Sequence, residues 1–258
     1  MLFKATFTLE GILIFSTEVR PMISAGQAMG SYISPSPYIH NYPIIYGILG
    51  KSAEAYFVIP SLHYNYYEDK KTRGGITLNY TSVNQVIQDA KAGKGFYVFP
   101  LIPQKIITES FLLSSESWTY YLPTRAPTKN VFPRVTSYTA FMPGTEFYTY
   151  IVTDGKFEIP QWIRIGKKRW GIMKIKPNEV KVDKVTEAKN CTTSIPINIK
   201  DAEIFGYKIV SYSKLYETPN VEEGLIGWAT LESCYEIKSR SAKITLPIPS
   251  PFINQLGM

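Results

Sequence analysis

A chain of 258 residues with 45% hydrophobic content has a globular composition and can bury a core as one large domain or two small ones. No run approaches the ~18 apolar residues that cross a bilayer, and the start, MLFKATFTLEGILIF, lacks the charged region and long apolar core of a signal peptide. The 28 basic against 21 acidic side chains leave +7, which points to a polyanionic partner, nucleic acid before a membrane surface, since no amphipathic basic helix is found.

Leu2–Glu10 alternates Phe3, Ala5, Phe7 and Leu9 with Lys4, Thr6, Thr8 and Glu10, the pattern of a half-buried strand. Ser16–Pro37, rich in Ser, Gly and Pro, reads as a long loop. A helix is expected from about Tyr38 to Leu49 with Gly50 at its end. Pro43 inside it favours a start nearer Asn41, with Asn41 as the N-cap. Glu54–Pro60 is a short apolar run, followed by a polar, exposed segment to Gly75. Ser82–Ala92 spaces Val83, Val86, Ile87 and Ala90 helically and stops at Gly93. Gly95–Pro100 reads as a buried strand.

Residues 103–143 form a strand-rich insertion with stems at Lys105–Leu113 and Val135–Phe141. Glu146–Thr153 is a strand and Asp154-Gly155 a turn, after which Pro160–Ile165 leads into PQWIRIGKKRWGIMKIK. Val180–Val185 and Ile204–Leu215 are further strand candidates, and the prolines of the tail exclude a central strand there. This order predicts an α+β protein. Its core, over about 1–186, is expected to be a ferredoxin-like (RRM-like) antiparallel sheet with helices on one face, and a strand-rich C-terminal region follows at 187–258, either a smaller second lobe or a completion of the same sheet. No second strongly hydrophobic helix completes that topology.

The stretch Pro160–Lys176 carries Arg164, Lys167, Lys168, Arg169, Lys174 and Lys176 with no acid, almost the whole excess of +7. Trp162 and Trp170 lie in it. Cations beside flat aromatic faces suit a phosphate backbone with splayed, stacked bases, as in single-stranded RNA. Arginine suits bidentate phosphate contact or stacking, and lysine acts as a point charge. Strand alternation puts Trp162 and Arg164 on one face and Ile163 and Ile165 on the other. Trp162 is then either a ligand contact or a packed core residue, and Trp170 either stacks a base or anchors a partner.

Cys191 and Cys234 lack CxxC spacing and could form one disulfide, but with no secretory signal the default expectation is two free thiols in a reducing, cytoplasmic compartment. Together with His40 and His63 they match no zinc pattern, so no metal or other cofactor is expected. No phosphate-binding or dinucleotide glycine motif occurs.

YIHNYPIIYGILG at 38–50, FYVFPLIP at 96–103, MPGTEFYTYIV at 142–152 and IPQWIRIGKKRWGIMKIK at 159–176 resemble, in order, a type I-D CRISPR-associated family of the RAMP superfamily. That family is the type I-D counterpart of the subunit that caps the 5′ end of the guide RNA in Cascade. WIRIGK is the most specific block, YIHNY the next, and the last fifty residues add little. The resemblance implies a ferredoxin-like core with an inserted β-hairpin thumb, mapped to 103–143, where Arg125, Lys129 and Arg134 become candidate RNA contacts beside Arg164, Lys167, Lys168, Arg169 and Trp170. It implies a non-catalytic subunit in antiviral defence that grips the 5′ handle of the crRNA. The implied partners are the backbone and large subunits of the complex, and target DNA near the protospacer-adjacent motif.

His40 is either a structural residue at the helix start or the general acid or base of a metal-independent ribonuclease that processes repeat RNA. The resemblance argues against catalysis, because type I-D systems use a separate processing nuclease. A third reading is a structural protein whose basic strand docks on an acidic protein.

Overall fold

The computed structural model describes residues 1–14, 18–24, 27–34, 36–50, 81–114, 135–166, 169–216, 226–240 and 242–256; at 18–24, 27–34, 81–82, 111–114, 135–138 and 216 it describes the backbone alone. The predicted Glu54–Pro60 run and the polar segment after it lie outside the described residues.

The mixed α+β chain is dominated by strands. β1 (Leu2–Leu9) is the centre of a six-stranded sheet and pairs antiparallel with β8 (Glu146–Thr153) on one side and β10 (Gly171–Glu179) on the other. β4 (Phe96–Val98) and β5 (Ile102–Lys105) extend the β8 side, and β9 (Trp162–Ile165) closes the β10 side. Alternation divides this sheet into two faces. Ala5, Phe7, Leu9, Phe147, Ile151, Ile163, Ile165, Met173 and Ile175 are buried on one of them, beneath α1 (Asn41–Leu49) and α2 (Thr81–Lys91).

α1 begins at Asn41, as Pro43 requires, but its N-cap is His40 rather than Asn41. The His40 Nδ1 accepts from the Tyr42 N–H at 3.1 Å, and Asn41 is the first helical residue. Gly50 ends the helix in the left-handed region, φ 66°, donating to the carbonyls of Tyr46 and Gly47. Gly47 is where the helix meets the sheet: a Cβ there would stand 2.9 Å from Ile165 Cγ2. α2 matches the predicted helix within a residue or two, and Val83, Val86, Ile87 and Ala90 are its buried stripe.

The expected long loop at Ser16–Pro37 is instead largely a hairpin, β2 (Glu18–Ser24) and β3 (Gln27–Ser34). It joins β6 (Thr108–Ser114) and β7 (Val135–Phe141) in a four-stranded sheet ordered β2-β3-β7-β6, with β3 and β7 parallel. The stems of the predicted insertion are thus strands, and half of their sheet comes from a segment with too little alternation to read as strand.

β10 runs into β11 (Val182–Thr192), which opens a third sheet around the 14-residue β14 (Ile226–Ser239). β11 and β12 (Ile197–Asn198) flank one side of β14, and β13 (Ile209–Tyr216) and β15 (Ala242–Leu246) the other. The predicted strand Ile204–Leu215 is divided: its first residue closes α3 (Ile199–Ile204), and β13 begins at Ile209. α4 (Ser250–Leu256) ends the described chain after β15, an edge strand as the prolines require.

Cys191 and Cys234 form a disulfide with their Cα atoms 6.2 Å apart, which corrects the expectation of two free thiols. The ladder pairs Cys191 with Leu231, three residues from Cys234, and a flat ladder would put such positions about 11 Å apart. β14 therefore curves over Cys191. Its alternation slips where Glu232 and Ser233 are both exposed, and Asn190 opposite takes φ 52°. Redox environment alone does not decide the pairing, because the fold brings the two sulfurs together.

Candidate nucleic-acid interface

Register assigns the second face of the main sheet row by row. Tyr150, Lys4 and Asn178 form one row, Tyr148, Thr6 and Lys176 the next, Glu146, Thr8, Lys174 and Trp162 the third, and Ile172 and Arg164 the last. The C-terminal region covers one end of this face. Leu2, Tyr97, Tyr150 and Val152 are buried there; the Tyr97 ring meets Phe205 edge-on, and the β14–β15 turn at Ser239 and Arg240 shares a cavity with Lys4 and Tyr150. The β9–β10 end stays open.

That open end carries the basic stretch. Trp162 is 48% exposed and Arg164 is exposed, while Ile163 and Ile165 are buried. The alternation read from WIRI therefore holds, and Trp162 is not a core residue. The Lys174 ammonium lies 5.5 Å from the centre of the Trp162 ring. The β9–β10 connection turns at Gly166, φ 77°, whose carbonyl accepts from the Arg169 N–H at 3.0 Å. A side chain at Gly166 would meet Ile14 O at 2.9 Å, so this turn admits only glycine without a shift. Arg169, itself at φ 56°, and Trp170 are both exposed beyond it. A cleft of about 440 Å³ runs between the end of α1 and β9, lined by Tyr46, Gly50, Trp162, Arg164 and Arg169.

Of the predicted contacts, the fold thus brings Arg164, Arg169 and Trp170 to one edge of the sheet. Lys167, Lys168, Arg125, Lys129 and Arg134 lie outside the described residues, as does His63. Sequence reasoning missed Lys4 and Tyr148 on the same face, where the Lys4 ammonium lies 5.0 Å from the centre of the Tyr148 ring. The signal was present in the outward positions of KATFTLE and EFYTYIVT, but only register shows that they share a surface with Trp162.

His40 is 6% exposed, caps α1 and packs edge-on against Tyr42. Beside it Asp201, on α3, is fully buried. It accepts from Tyr97 Oη at 2.6 Å, Asn41 Nδ2 at 2.8 Å and Tyr42 Oη at 2.9 Å. Asn198 caps α3 and donates from Nδ2 to Asn41 Oδ1 at 3.3 Å. Burial pushes the Asp201 carboxyl up to about 6, against the pull of those three donors, and burial together with Asp201 raises the Tyr97 hydroxyl. The cluster spends its polar groups on one another and ties α1 and β4 to the C-terminal region.

Among the described residues no group of three His, Cys, Asp or Glu side chains is placed to hold a metal, and no helix is long and apolar enough to cross a membrane. No curated protein matches the chain. A family model described as type I-D CRISPR-associated protein Cas5/Csc1 matches residues 1–254, and so takes in the C-terminal region where the quoted motifs added little. With that coverage, the chain belongs to the type I-D CRISPR-associated Cas5/Csc1 family.

Proposed function

We propose that the protein is a non-catalytic RNA-binding subunit of a type I-D CRISPR surveillance (Cascade) complex, gripping the 5′ handle of the crRNA and capping the backbone assembly in the cytoplasm. The observation that carries this reading is the open, basic and aromatic end of the sheet, where Arg164, Trp162, Arg169 and Trp170 converge at the β9–β10 hairpin. Membership of the family supports the CRISPR context. Backbone and large subunits are the proposed protein partners, with target DNA near the protospacer-adjacent motif and no membrane. The strand order β4-β8-β1-β10, with α1 and α2 between the first and second of these strands in the chain, supports a ferredoxin-like core over 1–186. In that core β9 takes the place of the second crossover helix. The thumb is proposed at 103–143 and an extension packed on the sheet at 187–258.

The ribonuclease alternative rests on His40 as general acid or base at the RNA. His40 is buried and engaged at the N-terminus of α1, which favours the structural role.

The test is RNA binding against salt with the repeat 5′ handle, a scrambled RNA and intact repeat, comparing wild type with a variant in which Arg164, Lys167, Lys168 and Arg169 are neutralised. For single strands, log affinity falls with log salt by roughly 0.7 per phosphate neutralised, so the slope is expected to shrink by about two to three. Handle preference without cleavage products supports the proposal. Products lost in His40→Ala would support the nuclease instead.

A further inference from the structure

The open part of the sheet face extends beyond the hairpin, and its register places two like units on it. Tyr148 on β8 has the Lys4 ammonium over its ring at 5.0 Å, and Trp162 on β9 has that of Lys174 at 5.5 Å. Three inter-strand steps and one two-residue step along the strand separate the rings, about 16 Å in all. Between them β1 presents only Thr6 and Thr8, which leaves a shallow trough, and β10 lines the far side of it with Lys176 and Lys174. Among the described residues none of Arg164, Lys174 and Lys176 is paired with a carboxylate. Two acids border the surface: Glu146 is in register with Thr8 of β1 and Lys105 of β5, and the Glu10 N–H bonds the Ile172 carbonyl, which puts Glu10 at the Arg164 end.

We propose that single-stranded RNA lies across this face, stacking one base on Tyr148 and another on Trp162 while Lys4, Lys174 and Lys176 hold the phosphates between them. This rests on the reading of the hairpin as an RNA site. Each lysine leaves its ring for the adjacent phosphate as a base arrives, so ring and cation act as one station. A span of about 16 Å with two rings matches the two or three bases that an open antiparallel sheet holds by stacking. Two other occupants fit this chemistry less well. A duplex keeps its bases stacked within itself and offers the rings nothing. The core of a protein interface is depleted in charge, whereas the open rows set Lys4, Lys174 and Lys176 among the two rings and Ile172. The strand enters at the Trp162–Arg164–Arg169 cleft and leaves past Tyr148 toward β5, where Lys105 is in register with Glu146.

The test uses the full chain and an eight-nucleotide single-stranded RNA, with a duplex of the same sequence and polyglutamate as comparators. Tyr148→Ile and Trp162→Ile keep β propensity and remove the ring. Each is expected to weaken single-strand binding about tenfold or more with the salt slope unchanged, and Tyr148→Phe and Trp162→Phe are expected to recover most of that loss. In the wild type, a 5-bromouracil oligonucleotide is expected to crosslink to the peptides holding Tyr148 and Trp162. This arm is independent of whether a variant folds. Salt-dependent RNA binding with unaltered Ile variants and crosslinks confined to other peptides overturns the path and leaves the hairpin reading standing. A wild type that prefers polyglutamate to single-stranded RNA overturns both.

Discussion

The Asp201 carboxylate has no exposure and three donors, so its contribution to stability depends on its charge. Burial lifts it from the usual carboxylate range to about 6 in the folded chain. Between about pH 4 and 6 the folded state then holds a proton that the unfolded state has released. This group's contribution to stability is therefore greatest at the acid end and falls as pH rises through the window, by an amount on the order of 3 kcal/mol. Asp201→Asn keeps an oxygen for Asn41 and Tyr97 and offers an N–H to the Tyr42 hydroxyl. The wild-type-minus-variant difference in unfolding free energy, followed by urea denaturation from pH 4.5 to 7, is expected to decline with pH. A flat difference would show that Asp201 titrates normally. Gly166 makes a second residue-scale case. Gly166→Ala meets both an unfavourable φ and the Ile14 carbonyl, whereas Gly95→Ala, at φ 69° with nothing within 4 Å, meets the φ alone. Both should lose about 1–2 kcal/mol to backbone strain, and Gly166→Ala more by the clash, which paired denaturation curves would separate.

At the scale of elements, β14 organises the C-terminal half. It pairs with four other strands, and its curvature brings Cys234 over Cys191. The disulfide closes a loop with a sequence separation of 43, for which loop-closure entropy gives about 4 kcal/mol. Urea denaturation with and without a reductant is expected to show a loss approaching that figure. No change would mean that the strand pairing alone holds the bend. The β9–β10 hairpin is organised differently, since its inward residues Ile163 and Ile165 anchor it under α1 at Gly47 while its outward residues Trp162 and Arg164 are exposed. Substitutions on the outward side therefore alter binding at little cost to folding. That independence makes neutralising Arg164 informative.

For the whole molecule, the decisive arrangement is the division of one sheet face. The C-terminal region seals Leu2, Tyr97, Tyr150 and Val152, and the remainder is left to cations and rings. The stretch Pro160–Lys176 alone carries six of the basic side chains and no acid, and binding should respond steeply to ionic strength. Much of this was written in the chain. The alternation of Leu2–Glu10 and of WIRI, the stop at Gly50 and the Asp154-Gly155 turn follow from periodicity and backbone preference, which neighbouring residues determine among themselves. The motif order identified the family from the same local information. Other features depend on partners far away in sequence. β14 escaped notice because its alternation slips at Glu232 and Ser233, and β2 and β3 because their sheet is completed by strands some hundred residues on. The pairing of Cys191 with Cys234, the meeting of Asn41 with Asp201 at a separation of 160 and the placing of Tyr148 on the same surface as Trp162 likewise came only from the fold. Which residues face in or out along each regular strand follows from a period of two that is local to the strand. Which outward residues share a surface was decided by strand register and by what packs over it, which only the tertiary structure sets.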